Sequence, residues 1–116
     1  MYKRFPRMAK LIYVVDIDGT ICTNTYGEYQ KCLPKIDRIT QINQLFDAGH
    51  HIIYATARGM GSSEGDQALA AKKYYNYTFD QLHAWGCKFH SLYLGKPKGD
   101  IYIDDKCIRD VDFFDE

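Results

Sequence analysis

The sequence predicts an α/β domain built on a doubly wound, mostly parallel sheet, and three features of the chain predict it. Short apolar runs rich in β-branched residues alternate with amphipathic stretches of helical period. The first run, Leu11-Ile12-Tyr13-Val14-Val15, is continuous rather than alternating, as expected of a mid-sheet strand covered on both faces. Three of the four runs end in polar residues, at the sheet edge where folds of this class bind ligands.

The elements follow in order. After the first strand, Cys22 to Lys31 is polar and turn-rich. Pro34 then opens a helix whose apolar face is Ile36, Ile39, Ile42, Leu45 and Phe46, with Gly49 at its end. His51 to Ala55 reads as a second buried strand, running into Thr56-Ala57-Arg58-Gly59. Gly59 to Gly65 is a Gly/Ser-rich loop, and Asp66 caps a helix through Ala68, Leu69, Ala71 and Tyr74. Thr78 is expected to cap a further short helix, Phe79 to Trp85, stopped by Gly86. Phe89 to Leu94 is a third strand, Gly95 to Gly99 a turn, and Ile101-Tyr102-Ile103 a fourth strand ending at Asp104-Asp105. Phe113 and Phe114 tie down the acidic tail. Together these elements predict one Rossmann-like domain over residues 1–116.

At 116 residues and 46% hydrophobic content the chain has room for one core, and a second domain is not expected. Fifteen basic and fifteen acidic residues balance, so there is no electrostatic footprint for duplex nucleic acid or an anionic membrane, and small-molecule partners are expected. Cys22, Cys32, Cys87 and Cys107 lack Cys-x-x-Cys spacing, which argues against a zinc site and a secreted disulfide scaffold and for free thiols in a reducing cytoplasm. The basic segment Met1 to Lys10 leads into an apolar run too short for a signal-peptide core or a membrane span.

Chemistry concentrates where the first strand runs into Asp16-Ile17-Asp18-Gly19-Thr20. Two carboxylates crowded at a strand end cost several kcal/mol if buried unpaired and raise each other's pKa, unless a cation or a phosphate partner is expected there. A hard divalent ion takes such oxygen ligands. Thr56 and Arg58 follow the second strand, Lys96 the third, and Asp104 and Asp105 the fourth.

These four clusters, in this order, resemble the signature motifs of the haloacid dehalogenase (HAD) superfamily of phosphatases and phosphotransferases. The stretch from Gly95-Lys96-Pro97 to Ile103-Asp104-Asp105-Lys106 is similar to its small capless members. The resemblance implies an Mg²⁺-dependent phosphomonoesterase. Asp16 would be the nucleophile that becomes an aspartyl-phosphate, and Asp18 the general acid/base, which also offers its main-chain carbonyl to the metal. Thr56, Ala57 and Arg58 would bind the phosphoryl group or substrate, and Lys96 would add a fixed positive charge. Asp16, Asp18, Asp104 and Asp105 would form the metal site, Asp105 through water or by orienting the other ligands. Lys98 competes with Lys96, and Arg58 reads equally as a salt-bridged structural residue. His50 and His51 point to opposite sides of a strand and read as structural, as do Tyr74, Tyr75 and Tyr77.

Only 35 residues separate Thr20 from Thr56 and 37 separate Arg58 from Lys96, both already used by helices of the fold, so no separate cap domain fits. The Cys22–Lys31 loop would act as a small flap, with Tyr26, Glu28 and Gly59–Gly65 near the leaving group. An open site of this kind implies a macromolecular substrate or a homo-oligomer whose neighbouring subunit completes it. Capless relatives of this appearance are associated with bacterial surface-polysaccharide synthesis, which implies a sugar or polyol phosphate as substrate. The alternatives are a phosphatase of a nucleic-acid end or phosphoprotein, and a catalytically silent metal- or phosphate-binding module.

Overall fold

The computed structural model describes residues 9–116; the basic segment through Met8 lies outside it. Three strands, β1 (Ile12–Val15), β2 (His51–Thr56) and β3 (Ser91–Leu94), form a parallel sheet in the order β1-β2-β3. Helix α1 (Ile36–Asp47) joins β1 to β2, α2 (Gln67–Ala84) joins β2 to β3, and a short α3 (Asp110–Phe113) closes the chain. Tyr13 pairs with Ile52, Val15 with Tyr54, and Tyr54 with Leu92, so these side chains share one face. That face is the core. Ile39, Ile42 and Leu45 of α1, Leu82 of α2 and Phe114 after α3 pack onto it with Val15, Ile52, Tyr54 and Leu92.

Each helix forms where its sequence allows and stops where its cap dictates. Asp66 caps α2 by accepting from the Leu69 amide. After α1, Gly49 takes φ +97°, a left-handed conformation that reverses the chain toward β2 at little steric cost. The expected break at Thr78 does not occur: α2 is one helix, because neither Gly nor Pro interrupts residues 67–84. Thr78 is fully buried mid-helix, and its hydroxyl faces the Arg58 guanidinium rather than a free helix amide.

Two further expectations are corrected. β1 is an edge strand and not the middle of the sheet, and Ile12 and Val14 are 69% and 67% exposed on a face that no described element covers. Ile101-Tyr102-Ile103 is not a strand in this chain, and Ile101 and Ile103 are 80% and 95% exposed. The reason is connection length. Only the six residues from Gly95 to Asp100 follow β3, whereas a parallel strand needs a crossover of a dozen or more.

Candidate active site

β1 delivers Asp16 and Asp18 beyond its last paired residue, Val15, and Gly19 turns the chain with φ +85°. The turn is held by the Thr20 and Ile21 amides, both donating to the Ile17 carbonyl. Ile17, between the two carboxylates, is fully buried, which anchors the strand end and sends Asp16 and Asp18 to different surroundings. Asp16 is the more open. Its carboxylate accepts from the Thr20 hydroxyl at 2.9 Å and from Lys96 Nζ at 3.4 Å, and just over a third of the side chain is exposed.

Asp18 faces inward. Arg58, whose side chain has no exposed surface, donates Nε to one carboxylate oxygen at 2.9 Å and Nη2 to the other at 3.0 Å, a bidentate pair. The same guanidinium donates to Gln81 Oε1 at 2.6 Å and lies over the Tyr29 ring at 4.6 Å. Burial lowers the Arg58 pKa, but the hydrogen bonds and charge of Asp18 more than offset this, so it is raised and the residue stays cationic. The salt-bridged reading of Arg58 is therefore the one the geometry realises, and the side chain is not free to clamp a ligand at the surface.

Thr56 is also buried: its hydroxyl accepts from the Arg58 amide at 3.1 Å and its carbonyl accepts from the Lys96 amide at 3.2 Å. These two bonds tie the end of β2 to the loop that carries Lys96. Ala57 begins a turn in which its carbonyl accepts from the Met60 amide. Lys96, and not Lys98, reaches Asp16; its ammonium also lies 4.6 Å from the centre of the Tyr102 ring. Lys98 lies with Met60, Gly61 and Glu64 around a separate shallow cavity of about 520 Å³, so the Gly59–Gly65 loop meets Lys98 rather than Asp16. Tyr26 is exposed at the tip of the Cys22–Lys31 loop, and Glu28 pairs with Lys31.

The expected metal ligands come together only in part. Asp16, Lys96 and Asp105 line one groove of about 820 Å³ along the free edge of β1. Asp104 does not line it; a carboxylate oxygen of Asp104 accepts from the Lys106 amide at 3.0 Å, and that bond lowers its pKa. The cause is that of the missing strand: the segment carrying Asp104 lies across the groove from β1 without pairing to its edge, so it does not bring Asp104 level with Asp16.

Sequence spacing missed a second grouping. Cys22 bridges to Pro34 across an antiparallel contact, which brings Cys32 onto the same side. Both thiols donate to Asp18 Oδ1, at 3.7 and 3.4 Å, and the ligand atoms of Asp18, Cys22 and Cys32 all lie within 4.8 Å of one another. Such a donor set is softer than Mg²⁺ prefers. Burial and the nearby Asp18 carboxylate push the Cys22 thiol pKa well up. Spacing gives no signal for Tyr29 or Gln81, whereas Thr20 stands in the first motif, four residues after Asp16 in the same turn.

His50 and His51 part as expected. His50 Nδ1 accepts from the Leu11 amide, and the His51 ring stacks on His90 at 4.3 Å, far from the carboxylates in the sheet register.

No protein-family model matches the chain, and no curated protein matches it. A crystal structure of an MCSG target from Vibrio cholerae is similar to it, with a TM-score of 0.83 and 27% identity over 93% of this chain and 89% of that one. No helix among the described residues is long and apolar enough to cross a membrane.

Proposed function

We propose that this chain is a Rossmann-like, capless phosphomonoesterase of the HAD type that uses a hard divalent cation, Mg²⁺, and works through an aspartyl-phosphate at Asp16. The observation that carries the reading is the placement of Asp16: an accessible carboxylate at a strand end, oriented by Thr20 and faced by Lys96. Phosphoryl transfer depends chiefly on positioning a nucleophile and spreading positive charge around the phosphoryl oxygens. Asp16 supplies the first and Lys96 part of the second. A sugar or polyol phosphate, the substrate implied by the resemblance to small capless relatives, is the preferred class over a macromolecular end.

The oxygen donors fit a hard cation in kind. Asp16 and Asp105 would offer carboxylates and Asp18 its main-chain carbonyl; bound there, the ion would lower the repulsion between carboxylate and phosphate. Asp18 would protonate the leaving oxygen and then accept a proton from water. For that it must exchange one of its two Arg58 hydrogen bonds for the substrate, with Cys32 and Cys22 holding the other oxygen. Four free thiols suit a reducing cytoplasm as the setting.

The deciding experiment is phosphate release from a panel of phosphorylated metabolites and a chromogenic ester, with Mg²⁺ or EDTA, for wild type and Asp16→Asn. Metal-dependent release abolished by the substitution is the expected outcome; no release from any ester refutes the reading. The double hold of Arg58 on Asp18 favours a second reading, a silent phosphate- or metal-binding module. Asp18→Asn separates the two. An enzyme loses turnover while retaining Mg²⁺ binding, whereas a module is indifferent.

A further inference from the structure

We propose that a second copy of this chain completes the sheet: Ile101-Tyr102-Ile103 of each protomer adds as a parallel strand to the free edge of the partner's β1. Its delivery of Asp104 and Asp105 to the partner's Asp16 rests on the phosphatase reading; the strand exchange does not. Two unsatisfied surfaces motivate it. β1 has a continuous apolar sequence but an unpaired outer edge, with Ile12 and Val14 exposed. Ile101-Tyr102-Ile103 has the composition of a strand but pairs with none, and Ile101 and Ile103 are the most exposed isoleucines among the described residues.

The chain cannot join these two surfaces within itself as parallel neighbours. Six residues separate β3 from Ile101, and although Lys96 and Tyr102 already reach the β1 side, a parallel strand there would have to start again at the opposite end of the sheet. Antiparallel pairing in the same chain would carry Asp104 and Asp105 away from the strand end that holds Asp16. Between chains the length suffices. Lys96 is tied to Asp16 and Asp110 to Arg38, and the thirteen residues 97–109 between these anchors span up to about 40 Å when extended.

In the parallel register that sets Ile103 beside Val15, Asp104 falls level with Asp16. Ile101 and Ile103 then share the helix-covered face with Tyr13 and Val15, and Tyr102 lies beside Val14. Ile101 and Ile103 would each bury about 100 Å² of apolar surface against the helix-covered face, and Tyr102 would cover the flank of Val14. Over two copies these side chains together with the paired strand backbones approach about 1,000 Å², the lower bound of a specific interface. The groove along the β1 edge, walled in the single chain by its own Tyr102 and Asp105 to Ile108, is then the seat of the partner's strand, closed at the Asp16 end by the partner's two carboxylates.

Sedimentation equilibrium tests the pairing without reference to activity. Wild type at tens of micromolar should have twice the chain mass, and Ile103→Asp, altering a side chain that is 95% exposed in the single chain, should fall to one chain mass with an unchanged circular-dichroism spectrum. A single-chain mass for wild type, or a dimer that survives Ile103→Asp, overturns the proposal. Mixing then tests delivery. Asp16→Asn and the double variant Asp104→Asn/Asp105→Asn should each be inactive alone and recover up to about a quarter of wild-type turnover when co-refolded. An active, dimeric wild type with no recovery on mixing overturns delivery in trans. If wild type hydrolyses no ester, the phosphatase reading fails while the masses still decide the strand exchange.

Discussion

Arg58 illustrates how one side chain joins packing to chemistry. Its guanidinium is buried without exposed surface and satisfies Asp18, Gln81 and Thr78 at once. Removing it leaves Asp18 without its counter-charge, so Arg58→Met should lower unfolding free energy by about 3–5 kcal/mol in urea denaturation. A drop under 1 kcal/mol would show that the pair is not a structural linchpin. Lys96 and Lys98 provide the contrast. Lys96→Met should cut phosphate release by about a hundredfold, since its ammonium faces Asp16, while Lys98→Met should leave it within about twofold. Equal losses would refute the assignment of the phosphoryl-binding lysine.

Elements here are held by a few cross-chain ties rather than by propensity. The four-residue α3 is too short to persist alone, and Arg38 fastens it. Nearly buried itself, Arg38 donates to Asp110 and to Glu116 at 2.7 Å each and stacks under Phe114 at 4.7 Å. Those hydrogen bonds raise its own pKa and lower both carboxyls'. A lowered carboxyl stabilises the fold above its ordinary value and loses that contribution as pH falls through the folded value. The C-terminal turn should therefore be intact near neutrality and release below about pH 4, seen as faster tail cleavage by an acid protease or loss of Phe113 and Phe114 NMR shifts. Tail release already above about pH 5, where ordinary carboxyls are still ionised, would contradict the coupling. Gly59 is a second tie: with φ +79° and an added Cβ only 2.5 Å from the Tyr74 ring, Gly59→Ala should cost about 1–3 kcal/mol by chemical denaturation.

At the scale of the whole molecule, a three-stranded sheet with one covered face is a small platform for a hydrolase. The exposed edge and exposed strand-former on the same chain are what an aggregating protein would have, unless they meet. If they meet in a dimer, stability becomes a function of concentration. The thermal midpoint of wild type should rise by several degrees from 1 to 100 µM, and that of Ile103→Asp should not move. Identical midpoints for wild type across that range would speak for a chain stable alone.

The local elements and the cluster at the end of β1 can be read from the order of residues alone. Helical and strand periods record which face is buried, and caps such as Asp66 and Gly49 act within a few residues. Asp16, Asp18 and Lys96 were legible for the same reason: each sits at the end of a strand whose apolar run is plain in the chain. Partnership came from the folded chain. That Arg58 locks Asp18, that Cys22 and Cys32 meet there, and that Lys96 rather than Lys98 faces Asp16 depend on contacts between residues 10 to 80 positions apart. β1 lies at an edge, and Ile101–Ile103 stands free, because a six-residue link cannot make a parallel crossover, a limit set by chain reach and not by the preference of any residue in it.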